Sequence, residues 1–247
     1  VELPIRTVDT GYGIERFTWL SQGAVSAFHA VYGPLLEEAA DIVGIELPEL
    51  ELLAKPATYS SLMIVGKGFR KAEARARVAE AVGVDPGELE ELLAPLEALF
   101  AVLDHTKCLV LMLADGVVPS NVREGYLARL LLRRTYRLLR LLGAEEALLD
   151  IVEAQIRYWR QDYPRIWPNR DYIMDILALE SERYRRTISR GTELVRRMAR
   201  ELREAGLKEL PEDKLVELYD SHGIPPEIAE EVARSEGLEV EVPEDFY

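Results

Sequence analysis

The chain has 247 residues, with 30 Lys and Arg against 44 Asp and Glu, a formal net charge of −14 and 48% apolar residues. This composition predicts a soluble globular protein with its own core. The longest unbroken apolar run, Cys108 to Ala114, is far below the roughly 20 residues of a membrane-spanning helix, which excludes a membrane protein. Cys108 is the only cysteine, so the reducing cytoplasm is the expected location. The opening residues read like the interior of a domain, so we expect part of a longer protein.

The chain order of predicted elements indicates a mainly helical fold. Residues 2–8 alternate loosely, which predicts a short strand that leads into a Gly-Tyr-Gly turn at 11–13. From residue 14 onward, apolar residues recur at three- and four-residue steps, which predicts helices. The expected helices span 14–20, 33–43, 50–65, 70–82, 86–114, 121–142, 144–158, 169–205, 212–219 and 225–235. The predicted fold is a helical bundle preceded by a strand-turn-helix segment.

Charge is divided unevenly along the chain. Residues 1–120 carry a net charge of −9, residues 121–203 one of +6, and residues 204–247 one of −11. All 18 basic residues of the middle segment are Arg, and a planar guanidinium binds phosphate through two parallel hydrogen bonds. An acidic protein can therefore bind a polyanion locally. The alternative is that these arginines pair with acidic residues on solvated helix faces.

The helix predicted over 121–142 separates leucines from arginines. Four leucines recur at steps of four, seven and four residues, which predicts one core-facing side: Leu127, Leu131, Leu138 and Leu142. Two residues turn a helix by about 200°, so the arginines that lie two residues beyond a leucine face the other way. These are Arg129, Arg133 and Arg140, and Arg137 joins them. The pattern predicts a row of guanidinium groups that faces solvent or phosphate.

Asn121 begins this predicted helix, and two roles for it remain open. With Glu124 three residues later it resembles a capping box, in which its side chain would accept a hydrogen bond from the first helical turn. An amide at the tip of a basic helix can instead read a base edge.

Residues 9–16 form a second candidate site. The sequence Asp-Thr-Gly-Tyr-Gly-Ile-Glu-Arg follows the predicted strand and opens a helix. Glycines let a phosphate approach the backbone, and Arg16 in the first helical turn supplies charge. The segment lacks the Gly-Lys-Ser/Thr of a Walker loop and the final glycine of a dinucleotide fingerprint. Zinc is not expected, because His29, His105 and His222 are isolated and Cys108 lies in an apolar helix.

Three segments together resemble the alanyl-tRNA synthetases, a family of class II aminoacyl-tRNA synthetases. Residues 9–23, DTGYGIERFTWLSQG, resemble the family's motif 3. Residues 104–134, DHTKCLVLMLADGVVPSNVREGYLARLLLRR, resemble a block of its tRNA-recognition region, and residues 218–225, LYDSHGIP, are similar to a turn near the end of that region. The segments occur in the family's order, whereas residues 46–83 match none of its patterns.

The resemblance implies the end of a catalytic domain at residues 1–33 and a helical tRNA-recognition domain at 34–247. The implied parent enzyme activates alanine with ATP and Mg²⁺ and transfers it to tRNA(Ala). Catalytic motifs 1 and 2, the editing domain and the C-terminal region are missing, so the chain alone is expected to be inactive and to bind no cofactor tightly. The implied partners are the tRNA(Ala) acceptor stem and those missing domains, and neither DNA nor a membrane. The alternative is a helical protein-interaction scaffold with an Arg-rich face.

The resemblance also implies roles for residues near the turn. Asp9 would receive the ammonium group of alanine. Gly11 and Gly13 would leave room for alanine and the adenylate, and Arg16 would contact ATP.

For tRNA, the resemblance implies that Asn121 and Asp220 read the G·U wobble at the third acceptor-stem pair. A carboxylate is a natural acceptor for the guanine amine that a wobble leaves unpaired, and an amide can donate or accept. The alternative for Asp220 is a residue of the turn that caps Pro225-Pro226. The expected contacts to the tRNA backbone are Arg123, Arg129, Arg133, Arg134 and Arg137.

Overall fold

The computed structural model describes residues 11–63, 71–243 and 246. The strand predicted at residues 2–8 lies outside them. The described residues are mainly α-helical, as predicted. They divide into two compact units, one up to Met174 and one from Asp175, each of which is described by itself. The division that the family resemblance implies at residue 33 stays a prediction.

Eleven α-helices form the described part of the chain. They are α1 (Ile14–Gln22), α2 (Ala27–Tyr32), α3 (Pro34–Val43), α4 (Leu50–Thr58), α5 (Lys71–Val82), α6 (Pro86–Ala114), α7 (Arg123–Leu141), α8 (Leu148–Trp159), α9 (Arg170–Glu204), α10 (Glu212–His222) and α11 (Pro226–Ser235). Short 3-10 helices lie at Ser60–Met63, Glu145–Ala147 and Trp167–Asn169. Helices α3, α5, α6, α9 and α11 begin and end within one residue of the prediction.

The other six helices differ from the prediction. Helix α1 ends two residues later than predicted, α7 begins two residues later, and α8 begins four residues later, after the 3-10 helix at Glu145–Ala147. Helix α2 was not predicted; it is only six residues long, and its best signal is the cap at Ser26, whose Oγ accepts a 3.3 Å hydrogen bond from the His29 backbone N–H. The helix predicted over 50–65 ends at Thr58, and a 3-10 helix follows at Ser60–Met63. Helix α10 continues to His222, three residues beyond the predicted end, and stops at Gly223 in the left-handed conformation with φ 68°.

Helix α6 organises the first unit. It is 29 residues long, and α3, α5, α7 and α8 pack against it. Asp85 starts it as predicted: its carboxylate accepts a 2.8 Å hydrogen bond from the Gly87 N–H, and Pro86 occupies the first helical position. The buried Arg75 of α5 bonds Glu90 of α6 at 2.7 Å and Glu97 at 2.9 Å, so an ion-pair network joins these two helices.

The second unit is built from α9, α10, α11 and the segment that follows α11. Its core contains twelve buried apolar residues: Val195, Ala199, Leu210, Leu215, Leu218, Ile224, Ile228, Ala229, Val232, Ala233, Leu238 and Val240. Gly191 of α9 lies so close to Ile224 that a Cβ at position 191 would overlap the Ile224 side chain. An isolated parallel bridge joins Glu209 and Glu239.

Hydropathy gives no candidate for membrane insertion. Among the helices of the described ranges, none has the length and apolar content required to cross a membrane.

Candidate functional site

The buried face of α7 is not the leucine face that the sequence predicts. The residues that pack into the first unit are Gly125, Ala128, Leu132, Thr135, Tyr136 and Leu139. Leu127 is 47% exposed, and Leu131, Leu138 and Leu142 are only partly buried. The predicted face was therefore wrong by one residue, or about 100° of rotation. The buried stripe contains Gly, Ala and Thr, whose small side chains allow close contact with α6 but give a weaker apolar signal than leucine.

The arginines of α7 differ in exposure. Arg123, Arg133, Arg134 and Arg140 are exposed, whereas Arg129 and Arg137 are half-buried. Arg140 pairs with Glu145 at 3.4 Å. Within the described ranges, Arg123, Arg133 and Arg134 take part in no ion pair. Their guanidinium groups form a basic surface at the start and middle of the helix.

The loop before α7 packs tightly onto its first turn. The Ser120 N–H donates to the Gly125 carbonyl at 3.0 Å, and the Ser120 hydroxyl donates to the Val122 carbonyl at 2.9 Å. A Cβ on Gly125 would overlap the Ser120 hydroxyl and would lie 2.8 Å from the Ser120 nitrogen. Arg123 begins the helix with φ 53°, a left-handed conformation that is uncommon for a residue other than glycine. These contacts hold the backbone on both sides of Asn121.

Asn121 does not cap this helix, so the predicted capping box was wrong. The N-cap residue is Val122, and no side chain bonds the first turn. Helix α7 begins at Arg123, so Asn121 lies two residues before it, with an exposed side chain. Its Oδ1 accepts a hydrogen bond of 2.5 Å from Nη1 of Arg129. The amide thus bonds a side chain of the Arg row.

Asp220 is exposed on the last turn of α10. The alternative role, capping of the turn before α11, is not observed, because α11 has Pro225 as its N-cap and no side-chain cap from a described residue. Asn121 belongs to the first unit and Asp220 to the second. Whether the two residues read one base pair therefore stays a prediction.

The turn before α1 is open on its surface. Gly13 is the N-cap with φ 66°, and no side chain of the described residues bonds the first helical N–H groups. Among the residues that the structure describes, a Cβ on Gly11 would meet nothing within 4 Å, whereas one on Gly13 would meet the Arg16 side chain at 3.8 Å. Glycine, an exposed guanidinium and uncapped N–H groups together fit an anion such as a phosphate. Asp9, the carboxylate expected beside them, lies outside the described residues.

Metal ligands are not grouped in the described part of the chain. No three side chains of His, Cys, Asp or Glu lie together there in a way that could hold an ion. The described residues of the turn at 11–16 offer donors that fit the phosphate groups of a nucleotide.

The Asp-His-Thr-Lys segment at 104–107 has a packing role that sequence reasoning missed. Asp104 accepts a 3.3 Å hydrogen bond from the hydroxyl of Tyr32 on α2, and Lys107 Nζ lies 4.1 Å from the ring centre of Trp159 on α8. Burial and the Asp104 charge raise the pKa of Tyr32. The segment therefore joins three helices. Asp104 and Lys107 are three residues apart, about one helical turn, so their spacing could have indicated that both lie on one face of α6.

His105 lies between this packing cluster and the Arg surface. Its Nδ1 is buried and has no hydrogen-bond partner within the described part of the chain. Burial lowers the pKa of His105, the charges of Arg134 and Arg137 lower it further, and Asp104 opposes them. The positive charges of α7 therefore disfavour protonation of the half-buried His105 imidazole on α6.

The fold is that of a mainly helical protein with an exposed, Arg-rich surface on α7. The family model described as tRNA synthetases class II (A) matches residues 1–247, and the chain belongs to this family. Relatives that align with the full length of this chain confirm the predicted resemblance to alanyl-tRNA synthetases.

Three of these relatives are alanine–tRNA ligases. The one from Methanothermobacter thermautotrophicus is 45% identical over 246 residues, the one from Methanopyrus kandleri 47% over 249, and the one from Ignicoccus hospitalis 44% over 247. Each match covers 100% of this chain and 27% of the relative. The chain thus spans about a quarter of the length of these relatives.

Proposed function

We propose that this chain is the part of an alanine–tRNA ligase that binds the acceptor stem of tRNA(Ala) and forms one side of the alanine and ATP site. The main support for this proposal is the group of exposed guanidinium groups on α7 beside Asn121. The 45% identity to an alanine–tRNA ligase supports it further. The enzyme would act in the cytoplasm, together with the other domains of the ligase.

The Arg surface of α7 contacts the tRNA backbone in this proposal. Arg123, Arg133 and Arg134 are exposed and in no ion pair within the described ranges, so phosphate can bind them without first displacing a carboxylate. Arg137, which is half-buried, contacts the same backbone with the accessible part of its guanidinium. Such contacts fix the orientation of the RNA and give salt-dependent affinity without reading its sequence.

Asn121 and Asp220 read the G·U pair in this proposal. Both side chains are exposed, and neither caps a helix. The wobble leaves the guanine amine unpaired in the shallow minor groove, where the carboxylate of Asp220 accepts its hydrogen bond. By analogy with single base contacts, each residue contributes about 1–3 kcal/mol of discrimination.

The turn at Gly11 and Gly13 belongs to the alanine and ATP site of the ligase. Arg16 contacts the phosphate groups, the glycines leave room for alanine and the adenylate, and Asp9 receives the alanine ammonium group. Bound ATP supplies the phosphorus electrophile that activates the alanine carboxylate. Mg²⁺ would accompany ATP in the intact enzyme, and zinc is not expected in this segment.

Catalysis requires more of the ligase than this chain. We expect no alanine-dependent exchange of ATP with pyrophosphate by the 247-residue chain, because activation needs several positioned groups at once and the chain spans 27% of its relatives. Exchange well above a protein-free control would contradict this expectation.

Binding of two RNA hairpins tests the proposed function. They carry the same acceptor stem, with G·U or G·C at the third pair. The chain should prefer the G·U hairpin, and Asn121→Ala or Asp220→Ala should remove the preference while most affinity remains. Asp213→Ala is the matched control, because it removes an exposed carboxylate from the first turn of α10.

Two results would contradict the proposal. One is an unchanged preference for G·U in both Asn121→Ala and Asp220→Ala. The other is RNA binding that is absent or independent of salt, which would favour the protein-interaction scaffold.

A further inference from the structure

We infer that Arg129 is a positioning residue: its hydrogen bond to Asn121 orients that amide so that the NH₂ group faces the RNA. The inference rests on the proposed function, in which Asn121 reads the acceptor stem. It gives Arg129 a different role from the one expected from the sequence, which was a contact to the tRNA backbone.

The chemistry of the bond fixes the orientation of the amide. A guanidinium carries only hydrogen-bond donors, so the Asn121 atom that faces it must be the carbonyl oxygen. Oδ1 lies 2.5 Å from Arg129 Nη1. The Nδ2 group makes no hydrogen bond to another described residue, and the side chain is exposed. Asn121 therefore presents two N–H donors to a ligand.

The backbone on both sides of Asn121 is held in place, so the conformational freedom of this residue lies mainly in its side-chain torsions. Ser120 bonds both Val122 and Gly125, and the close approach at Gly125 leaves no space for a Cβ. Arg129 lies on α7 about two turns beyond its start, and long helical side chains lean toward the N-terminus of their helix. Its guanidinium thus reaches back to the loop and fixes the remaining torsions of Asn121.

Arg129 and Arg133 differ in what they offer to phosphate. Arg129 is half-buried and donates to Asn121, whereas Arg133, one turn later, is exposed and in no ion pair within the described ranges. Loss of a phosphate contact lowers affinity and salt dependence for every duplex. Loss of a positioning bond lowers the preference for one base pair. The two roles can therefore be measured separately.

The orientation divides the recognition of the base pair between two residues. An ionised Asp220 offers only acceptors, and Asn121, whose carbonyl oxygen faces Arg129, offers its NH₂ donors. Asn121 then contacts an acceptor of the minor groove, such as a base oxygen or ring nitrogen or a 2′-hydroxyl oxygen. Replacing the donor by an acceptor of the same shape should remove recognition.

The test uses the 247-residue chain and the two RNA hairpins with G·U or G·C at the third pair. Asn121→Asp has the same shape and still accepts from Arg129, yet it has no donor. It should lower the G·U preference on the order of tenfold, as Asn121→Ala does. Arg129→Met should lower the preference similarly, and Arg129→Lys, which still donates, should restore most of it. Arg133→Met is the matched control and should keep the preference.

Salt dependence separates positioning from phosphate contact. Arg129→Met should keep the slope of log affinity against log salt, and Arg133→Met should flatten it by about one phosphate contact. The inference is overturned if Arg129→Met flattens the slope and keeps the preference, or if Asn121→Asp keeps it. The proposed function fails instead if Asn121→Ala and Asp220→Ala both keep the preference. Thermal unfolding checks that each variant is folded, and Asn121→Asp tests the inference even if Arg129→Met unfolds.

Discussion

The indole Nε1 of Trp159 donates a 2.7 Å hydrogen bond to Oε1 of Gln155, one turn earlier on α8. Gln155 is fully buried, and its Nε2 donates to the Leu103 carbonyl at 2.7 Å and to the Thr106 hydroxyl at 2.9 Å. A buried amide is thus satisfied at both ends, and it joins α8 to α6 within the first unit.

Replacing Gln155 by Met should destabilise the chain by about 2–4 kcal/mol. The apolar side chain has a similar volume, but it leaves the Trp159 N–H and the Leu103 carbonyl without this partner in the core. Urea unfolding followed by circular dichroism measures the change. Gln161→Met, at an exposed position, is the control and should change stability by less than about 0.5 kcal/mol. Equal stability of the two variants would show that the Gln155 network adds nothing.

The sequence predicts most helices because their apolar spacing and their caps agree. Asp85-Pro86 gave the start of α6, and Gly44 and Gly83 gave the ends of α3 and α5. Short helix α2 has too few residues for a periodic signal, so only packing and the Ser26 cap define it.

The candidate site was harder to predict than the helices. Its residue types were evident, but the orientation of α7 was not, because Gly125 and Ala128 pack where leucines were expected. The bond between Asn121 and Arg129 depends on a loop that folds back onto the helix, and no local pattern encodes such a fold. The cap at Asp85 follows from the residues beside it, whereas the contact between Asn121 and Arg129, eight residues apart, depends on the whole loop.

Gly191→Ala should destabilise the second unit, although alanine favours helices. A Cβ at position 191 would overlap the Cδ1 and Cγ1 atoms of Ile224, which is fully buried. Overpacking costs about 1–3 kcal/mol, against about 1 kcal/mol gained from helix propensity. Ile224→Ala alone is destabilising, but Gly191→Ala should be neutral or stabilising in that background. Purely additive unfolding free energies in the double-mutant cycle would contradict the close contact.

His105 should make the chain less stable as the pH falls below its ordinary pKa of 6.5. Burial, Arg134 and Arg137 lower its folded-state pKa against the opposing charge of Asp104, so the unfolded chain binds the proton more readily. The loss of stability begins near pH 6.5, grows as the pH falls toward the lower folded pKa, and levels off below it. His105→Asn should therefore lose less stability than the wild type between pH 7.5 and 5.5. Urea unfolding at both values measures this difference.

His222→Asn controls for the loss of an imidazole at an exposed site in the other unit. Parallel losses of stability in the wild type and His105→Asn would show that the protonation of His105 is not coupled to folding.

Arg133→Ala should weaken RNA binding without affecting the choice of base pair. The side chain is exposed and takes part in no ion pair within the described ranges, so its removal should leave the unfolding midpoint unchanged. If it contacts phosphate, affinity should fall equally for hairpins with G·U and G·C, and the slope of log affinity against log salt should decrease by about one. Fluorescence anisotropy from 50 to 200 mM salt measures both effects. Lys55→Ala, which removes an exposed cation from α4, controls for net charge and should keep the wild-type slope. The same slope in Arg133→Ala and the wild type would place Arg133 on a solvated helix face, outside the RNA contact.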